Sequence, residues 1–448
     1  MKFVQQIAAY IHSNELELEH LTIVLPSERL KKYIASALFE VYGKPIIAPK
    51  MVTIDQWVKS YSPETVIDQT RALLRLFEIQ LKNAKTVEDA SFDEFFTWGT
   101  ILLSDFNEID RYLLDADQVF RNLADIKEIE NWSFGEQELT ESQKRFMEFW
   151  DRLPGYYKAL NKELTKRESC YAGKSVNYLT QNIHHLFEDS SNGDQNAQYL
   201  FAGFNALSKA EIELIRQIDQ LGRAHVLINA DEWYYADRDH EAGRFLRDLS
   251  AALDGRKLHF VQNELAEKNM RIEMISCAQK TGQAKVAASI LEKLTKEQLD
   301  ETVLLLADES LIGAVIKNLP ATIGKANITL GLPIRNTAVK TWVDLLFSIQ
   351  ENKSRFRTNA IYFNDLQSFW NHPFVLAVLD KEEKDALLEA ERKIIERNSI
   401  FINVKNMAVG AKTAELLELI TEPWNNNWLN GLKTIRALSM QLYKGLQE

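Results

Sequence analysis

The segment of this chain that most resembles a catalytic motif is Gly173-Lys174-Ser175, the ending of a phosphate-binding loop. Such a loop reads G-x-x-x-x-G-K-[S/T], because its glycines let backbone amides wrap the phosphates while the lysine neutralises them and the hydroxyl holds magnesium. The first glycine would fall at Glu168, and residues 164–167 do not have the pattern of a buried strand. We therefore expect a turn between helices here and no nucleotide site.

Two acidic groups have the residue types of a metal site. Asp231-Glu232 follows a predicted strand, where a pair of carboxylates can hold magnesium, but we expect a solvated strand end. Carboxylate and imidazole ligands also occur together a few residues later. They are Asp237, Asp239, His240 and Glu241. Adjacent residues in one loop rarely converge on an ion, so we expect a charged loop and no metal.

Two further groups fit a catalytic pattern only superficially. His184 and His185 are adjacent, so on a helix they point to different sides and cannot form an i, i+4 ligand pair. Glu382-Glu383-Lys384 matches only the Glu-x-Lys part of a PD-(D/E)xK nuclease site, and its surroundings predict a charged helix face. We predict no catalytic residue and no bound metal or cofactor in this chain.

Length and composition limit the class of protein. The chain has 448 residues, so several folding units are expected, and 46% hydrophobic with 26% charged residues is typical of globular proteins. It has no apolar run of about 18 residues, and its first residues do not resemble a secretory signal, which predicts a cytoplasmic protein without a membrane anchor. The net charge of −11 argues against a surface that is positively charged overall and binds phosphates throughout. It is compatible with a local basic groove.

The first 66 residues and the stretch 195–265 predict one α/β domain. Residues 21–25, 199–204 and 224–229 are short apolar runs bounded by turn residues, as in buried parallel strands. Between them, residues 67–194 carry apolar side chains every three or four positions and few glycines or prolines, which predicts an inserted helical domain.

A second α/β set is predicted over residues 266–345. Its expected strands are residues 272–277, 302–307 and 326–330, separated by helical patterns. Residues 346–448 are helical by period, and we expect this last domain to be incomplete. The fold class predicted overall is α/β, with two parallel-sheet domains and large helical insertions.

Five segments resemble the amino-terminal, helicase-like part of AddB-type DNA-repair nucleases. They are residues 24–30 (VLPSERL), 103–110 (LSDFNEID), 202–211 (AGFNALSKAE), 240–245 (HEAGRF) and 327–337 (NITLGLPIRNT). The resemblance extends over residues 20–375. It implies a superfamily 1 helicase architecture with two RecA-like domains, in a family that processes broken DNA ends and whose carboxy-terminal portion carries a PD-(D/E)xK nuclease.

The turn after the first predicted strand departs from an active helicase. A phosphate loop is required there, but the sequence is Pro26-Ser27-Glu28-Arg29. Pro26 lacks an amide donor, Glu28 repels a triphosphate, and no glycine allows close approach of the backbone. An active helicase also needs acidic side chains at the end of a buried strand, where they hold magnesium. That strand end falls near residues 201–205, and Gly203-Phe204-Asn205 supplies no carboxylate there. The chain is therefore predicted to have lost ATPase activity.

Contacts to DNA are predicted at basic residues near strand ends. Ligands of open α/β sheets bind at the carboxyl ends of the strands, and DNA phosphates require positive charge. The candidates are Arg29, Lys31, Lys32, Arg335, Arg355 and Arg357, the last two in a cluster with Lys353. Trp57 and Trp233 are candidates for stacking on exposed bases, against the alternative that they lie in the core.

These observations predict a catalytically inactive helicase-like region that binds or guides DNA. Its expected partners are single-stranded or duplex DNA ends and an AddA-like helicase-nuclease subunit. Two alternatives stay open: a protein-interaction scaffold for a motor subunit without DNA affinity, and a part of an active nuclease whose catalytic domain lies beyond residue 448.

Overall fold

The chain divides into two units, Met1–Arg271 and Ile272–Glu448, in a computed structural model. The structure describes residues 2–84, 91–131, 141–188, 196–253, 259–267, 270–331, 333–407, 409–421, 423–424 and 427–445. Among the helices of these residues, none combines the length and the apolar character needed to cross a membrane.

The first unit alternates strands and helices at its two ends and is helical in between. In chain order its elements are α1 (Phe3–Ser13), β1 (Leu21–Leu25), α2 (Arg29–Tyr42), β2 (Lys50–Thr53), α3 (Ile54–Tyr61), β3 (Thr65–Val66), α4 (Gln69–Asn83), α5 (Phe92–Arg111), α6 (Ala116–Asn131), α7 (Glu141–Thr165), β4 (Ser169–Cys170), α8 (Ala172–Glu188), β5 (Gln198–Ala202), α9 (Lys209–Gln220), β6 (Ala224–Asp231), α10 (Glu232–Ala236), α11 (Arg244–Ala252), β7 (His259–Gln262) and α12 (Glu264–Glu267).

Five strands form a parallel sheet in the order β2-β1-β5-β6-β7. Ile23 of β1 pairs with Met51 of β2 on one side and with Leu200 of β5 on the other. The order reverses between β1 and β5, because the chain first adds β2 outside β1 and later adds β5, β6 and β7 in the opposite direction. This reversal is the topological switch point of a doubly wound sheet. The predicted strands at residues 21–25 and 224–229 are confirmed, and the strand predicted over 199–204 is present but ends at Ala202.

Side chains of the central strands alternate between two apolar cores. Ile23 and Leu25 of β1 pack with α1 and α2 on one face, whereas Val24 packs with α3, α8 and α9 on the other. Because both faces are covered by helices, consecutive residues of one strand are all apolar. Full burial of each such side chain contributes about 1.5–3 kcal/mol to folding.

The helices α4 to α8 form the insertion between β2 and β5. Their core contains aromatic side chains from three helices, among them Phe95, Phe106 and Tyr156. A short parallel pair, β3 with β4, closes the base of this insertion. The period of apolar residues over 67–194 therefore predicts the observed helical character in the described part of this stretch.

The predicted second parallel sheet is not formed in the described residues. Residues 272–277, 302–307 and 326–330 are assigned to no strand. Their apolar side chains are exposed, with 93% of Met274, 85% of Val303 and 87% of Leu305 accessible to solvent. An apolar run becomes a buried strand only when neighbouring strands and covering helices are supplied, and nothing described covers these segments.

The described regular elements of the second unit are helices and one short pair of strands. Its elements are α13 (Lys280–Leu291), α14 (Lys296–Asp300), α15 (Ile312–Asn318), α16 (Ala338–Phe356), β8 (Ile361–Tyr362), α17 (Phe363–Trp370), α18 (Pro373–Val378), α19 (Lys381–Glu396), β9 (Phe401–Ile402), α20 (Ala411–Thr421) and α21 (Trp428–Gly445). β8 and β9 pair antiparallel. One apolar core joins α16 to α21 and includes Trp342, Phe369 and Leu438.

Candidate functional site

The candidate site lies at the carboxyl ends of β1 and β5, where the strand order reverses. In doubly wound sheets ligands bind in the crevice outside these strand ends. Here the crevice is bordered by the turn Pro26-Ser27-Glu28 after β1 and by Gly203 after β5. The turn after β1 is the position that a phosphate loop would occupy.

The turn after β1 is occupied by an internal ion pair. Glu28 precedes α2, and its carboxylate accepts a hydrogen bond of 2.8 Å from the ammonium of Lys31. The same ammonium donates to Oε1 of Gln56 at 3.2 Å, and Oε1 of Gln56 also accepts from the amide of Thr53. The hydrogen bond from Lys31 lowers the pKa of Glu28, so the carboxylate is charged at neutral pH. The carboxylate and its partner Lys31 therefore occupy the turn in which a phosphate loop would present backbone amides to a triphosphate.

Gly203 closes the other side of the crevice. Its backbone is left-handed, with φ of 79°, and a Cβ atom there would lie 3.4 Å from Phe3 and 3.5 Å from Leu30. The amide of Gly203 donates to the carbonyl of Leu227 at 3.0 Å and so belongs to the sheet. Apolar side chains therefore fill the switch point, and this amide is not available to a phosphate.

Two predicted DNA contacts remain accessible at this edge. Arg29 and Lys32, in the first turn of α2, are exposed, whereas Lys31 is held by Glu28 and Gln56. The three basic residues predicted here therefore differ in role. Lys31 links the turn after β1 to α3, which follows β2, whereas Arg29 and Lys32 present their charge to solvent.

The other predicted basic residues lie in the second unit. Arg335 was expected at the end of a strand, but it lies on a short 3₁₀ turn over Ile334–Asn336 that precedes α16. Arg355 lies in the last turn of α16, and Arg357 ends it in left-handed conformation, with φ of 50°. The length of α16 separates Arg335 from the other two by about 28 Å, at 1.5 Å per residue. One DNA phosphate cannot contact both ends.

The two candidate tryptophans differ in accessibility. Trp57 is 1% exposed and packs edge to face against Tyr61, Tyr199 and Phe201, so it belongs to the core. Trp233 is 58% exposed and lies in the first turn of α10, directly after β6. Only Trp233 of this pair presents an aromatic face beside the strand ends.

Arg111 links the helical insertion to the sheet, which the sequence interpretation missed. Its guanidinium lies 3.6 Å from the carboxylate of Asp55 on α3 and 3.5 Å from that of Glu211 on α9. Glu211 is buried and accepts from the amide and hydroxyl of Ser208, forming a capping box at the start of α9. The sequence carried a signal for this contact, because Arg111 directly follows the AddB-like segment 103–110 and Glu211 ends the AddB-like segment 202–211.

Asp110 is the centre of a buried polar cluster in the insertion. It is 1% exposed and accepts hydrogen bonds from the hydroxyls of Tyr157 and Tyr171 and from the amide of Asn177. Burial and the adjacent carboxylate raise the pKa of both tyrosines, so they remain protonated donors. The ammonium of Lys174 approaches Asp110 to 3.6 Å.

The phosphate-loop look-alike is part of this packing. Gly173-Lys174-Ser175 was expected in a turn between helices, but it lies in the first turn of α8. The amide of Gly173 donates to Oδ1 of Asn107 at 2.9 Å, and a Cβ atom on Gly173 would lie 2.6 Å from the carbonyl oxygen of Asn107. Glycine is needed here because α8 and α5 approach closely, and Lys174 serves Asp110.

Asp231 has a structural role and is not a solvated strand end as expected. It is 7% exposed, and its carboxylate accepts from the amides of Trp233 at 3.0 Å and Leu265 at 2.9 Å. Burial raises the pKa of Asp231, but hydrogen bonds from the amides of Leu265, Trp233 and Glu264 outweigh it and lower the pKa overall. Asp231 therefore joins α10 to α12.

The loop after α10 is organised by an arginine. The guanidinium of Arg247 donates to five backbone carbonyls, two at the end of α10 and three in this loop. They belong to Tyr234, Tyr235, Asp237, Arg238 and His240. Nδ1 of His240 accepts from the amide of Ala242. Across the described residues, no three histidine, cysteine or acidic side chains are grouped as metal ligands; the side chains of His184 and His185 lie outside them.

Glu383 was expected on a charged helix face, but it is buried. Its carboxylate accepts from the amides of Lys412 at 3.1 Å and Thr413 at 3.2 Å, at the start of α20, and from the hydroxyl of Thr413. A Cβ atom on Gly410 would lie 2.2 Å from this carboxylate, so glycine makes room for it. Glu383 caps a helix and is not arranged as a nuclease carboxylate.

Comparison with protein-family models and with curated protein sequences finds no match for this chain.

Proposed function

We propose that this chain is a catalytically inactive, helicase-like scaffold that binds DNA during the processing of DNA ends. The observation that carries the proposal is the turn after β1, where Glu28 holds Lys31 and Gln56 in the place of a phosphate loop. A turn that carries a paired carboxylate and has no glycine cannot wrap a triphosphate with backbone amides, which supports the loss of nucleotide chemistry.

The helicase-like part of the proposal rests on the first unit. Its doubly wound parallel sheet is compatible with a RecA-like domain, and two of the five AddB-like segments, 24–30 and 202–211, lie at the carboxyl ends of its neighbouring strands β1 and β5. Gly203 lies against Leu30, and Arg111 beside segment 103–110 pairs with Glu211. Because these AddB-like segments lie far apart in the sequence but contact one another in the fold, they support a helicase-like architecture better than unconnected short similarities would.

The DNA-binding part rests on accessible charge and one aromatic side chain. Arg29 and Lys32 are exposed beside the carboxyl end of β1, and Trp233 is exposed after β6 in the same sheet. Positive side chains bind phosphates and aromatic faces stack on unpaired bases, so this edge suits single-stranded DNA. With a net charge of −11, the affinity must come from such local groups.

The test is to measure binding of single-stranded and tailed duplex DNA by fluorescence anisotropy at several salt concentrations. We expect salt-sensitive binding that Arg29→Gln/Lys32→Gln weakens, with a salt slope that falls by about 1 for each phosphate no longer bound. The matched control is Lys44→Gln/Arg71→Gln, which removes two exposed charges elsewhere in the same unit. Absence of salt-sensitive binding by the native chain would refute the DNA-binding role.

One observation favours a second candidate, a scaffold for a protein partner. The exposed apolar segments at residues 272–277 and 302–307 offer side chains such as Met274 and Leu305 that soluble proteins ordinarily cover. A partner of the motor-subunit type would then co-purify with the chain independently of DNA. Retention of that complex after nuclease treatment, in a chain without DNA affinity, would favour this candidate over the first.

A further inference from the structure

A cavity of about 830 Å³ lies in the second unit, at the end of α16. Its wall is formed by the last turns of α16, the residues that follow it, and the segment after α20. The volume is in the range of small-molecule sites, which are about 300–1,000 Å³. Three cationic side chains line it, Lys353, Arg355 and Arg357, with one carboxylate, Glu351. The local charge of three cations against one anion is opposite in sign to that of the whole chain.

Lys353 is the buried member of this set. It is 6% exposed, and its ammonium donates to the carbonyls of Ile420 and Thr421, each at 2.8 Å. An ammonium has three protons, so among the described residues one donor is left over at the cavity wall. Buried donors without acceptors are costly unless a ligand supplies the acceptor.

Arg355 and Arg357 are the accessible members. Both are exposed at the mouth of the cavity, and the hydroxyl side chains of Ser354 and Thr358 stand beside them on the wall. Guanidinium groups bind phosphate oxygens in pairs of parallel hydrogen bonds, and hydroxyls add further donors. We propose that this cavity is a binding site for a phosphoryl group, contacted by Lys353 from within and by Arg355 and Arg357 from the rim.

A structural explanation of the same cations predicts a different behaviour. α16 and α20 both end here, and cations stabilise the negative ends of helices. If that were their whole role, replacing Arg355 and Arg357 would lower the stability of the unit without changing any affinity. The two explanations therefore separate in a binding measurement.

The experiment is calorimetric titration of the full chain with inorganic pyrophosphate, which carries no base or sugar. We expect saturable binding that Arg355→Gln/Arg357→Asn weakens about tenfold or more, since charge-assisted hydrogen bonds are removed. Asparagine is chosen at position 357 because it tolerates the left-handed backbone. The control Arg392→Gln removes an exposed charge from α19 in the same unit and should bind as the native chain does. Lys353→Met should also abolish binding, but it disturbs the end of α20, so the rim variant is decisive.

Two sources of the phosphoryl group are distinguished by competition. Displacement of pyrophosphate by a 5′-phosphorylated oligonucleotide, but not by its hydroxyl counterpart, identifies a DNA end as the ligand. Displacement by a nucleoside monophosphate alone identifies a small phosphorylated molecule. The site does not rest on the proposed DNA role at the sheet edge, whose test uses Arg29 and Lys32. No saturable binding of pyrophosphate by the native chain, or equal binding by the rim variant, would overturn the proposal.

Discussion

Glu383 and Lys353 hold the opposite ends of one helix, α20. The carboxylate of Glu383 accepts from the amides of Lys412 and Thr413 at its start, and the ammonium of Lys353 donates to the carbonyls of Ile420 and Thr421 at its end. Both side chains are buried. Each charge is opposite to the partial charge of the helix end it contacts, and each side chain satisfies groups that lack intrahelical partners. For Lys353 the cost of burying the charge exceeds this gain, because burial lowers the pKa of its ammonium.

Loss of the negative cap should destabilise the second unit. Glu383→Gln removes the charge from the start of α20 and leaves buried amides with a poorer acceptor, which costs about 1–3 kcal/mol. Glu382→Gln, one residue earlier and exposed, is the matched control and should change little. Urea denaturation measures both. Equal stability of the two variants would contradict the capping role of Glu383.

The stability of the second unit should rise between pH 8 and 10.5. Burial lowers the pKa of Lys353 to about 8, against an ordinary value of 10.5. Between these values the unfolded chain binds more protons than the folded one, so the free energy of unfolding increases with pH. The contribution of Lys353 reaches about 1.4 kcal/mol per pH unit.

The measurement compares urea unfolding of the native chain and of Lys353→Met at a series of alkaline pH values. The difference in unfolding free energy between them should shift in favour of the native chain as pH rises through this range. A difference that stays constant with pH would show that the Lys353 ammonium titrates alike in the folded and unfolded chain.

Gly173 should be required for packing and not for nucleotide binding. In Gly173→Ala the new Cβ atom would lie 2.6 Å from the carbonyl oxygen of Asn107, so α8 and α5 must move apart, at a cost of about 1–3 kcal/mol. Gly155→Ala is the control, because nothing lies within 4 Å of its Cβ position on α7 and alanine favours helix by about 1 kcal/mol. Thermal denaturation should therefore shift in opposite directions. A stable Gly173→Ala chain would contradict the close approach of the two helices.

The amides of residues 272–277, 302–307 and 326–330 should exchange rapidly with deuterium. These segments have no strand partners in the described residues, whereas β1 and β5 are paired on both sides. Amides without hydrogen-bonded partners exchange without local unfolding. Hydrogen exchange followed by mass spectrometry compares the peptides directly. Slow exchange in the three segments would mean that a second sheet forms, as the sequence pattern alone predicts.

The difference between the two α/β predictions shows what an apolar run does and does not specify. Residues 21–25 and residues 302–307 are similar in length and composition, yet only the former is a strand. β1 has β2 and β5 as neighbours and helices on both faces. The sequence of a run specifies the capacity for burial, and partners distant in the chain decide whether burial occurs.

The candidate site was predictable in its position and charge but not in its contacts. The position of Glu28 after an apolar run indicates that a phosphate loop is missing. That Lys31 contacts Gln56 depends on the pairing of β1 with β2, which no local pattern reveals. For the same reason the capping roles of Asp231 and Glu383 were missed, since their partners lie 34 and 29 or 30 residues away.

The central claim is that the crevice after β1 binds no nucleotide. It is tested most directly by titrating the chain with a fluorescent, nonhydrolysable ATP analogue and magnesium in the presence of single-stranded DNA. We predict no binding that depends on this crevice, because the carboxylate of Glu28 stands in the turn where a phosphate loop would present its amides. Any saturable binding of the analogue should belong to the proposed phosphoryl site of the second unit, so Arg355→Gln/Arg357→Asn should weaken it and replacement of Ser27 or Lys31 should not. Saturable binding that weakens when Ser27 or Lys31 is replaced would contradict it.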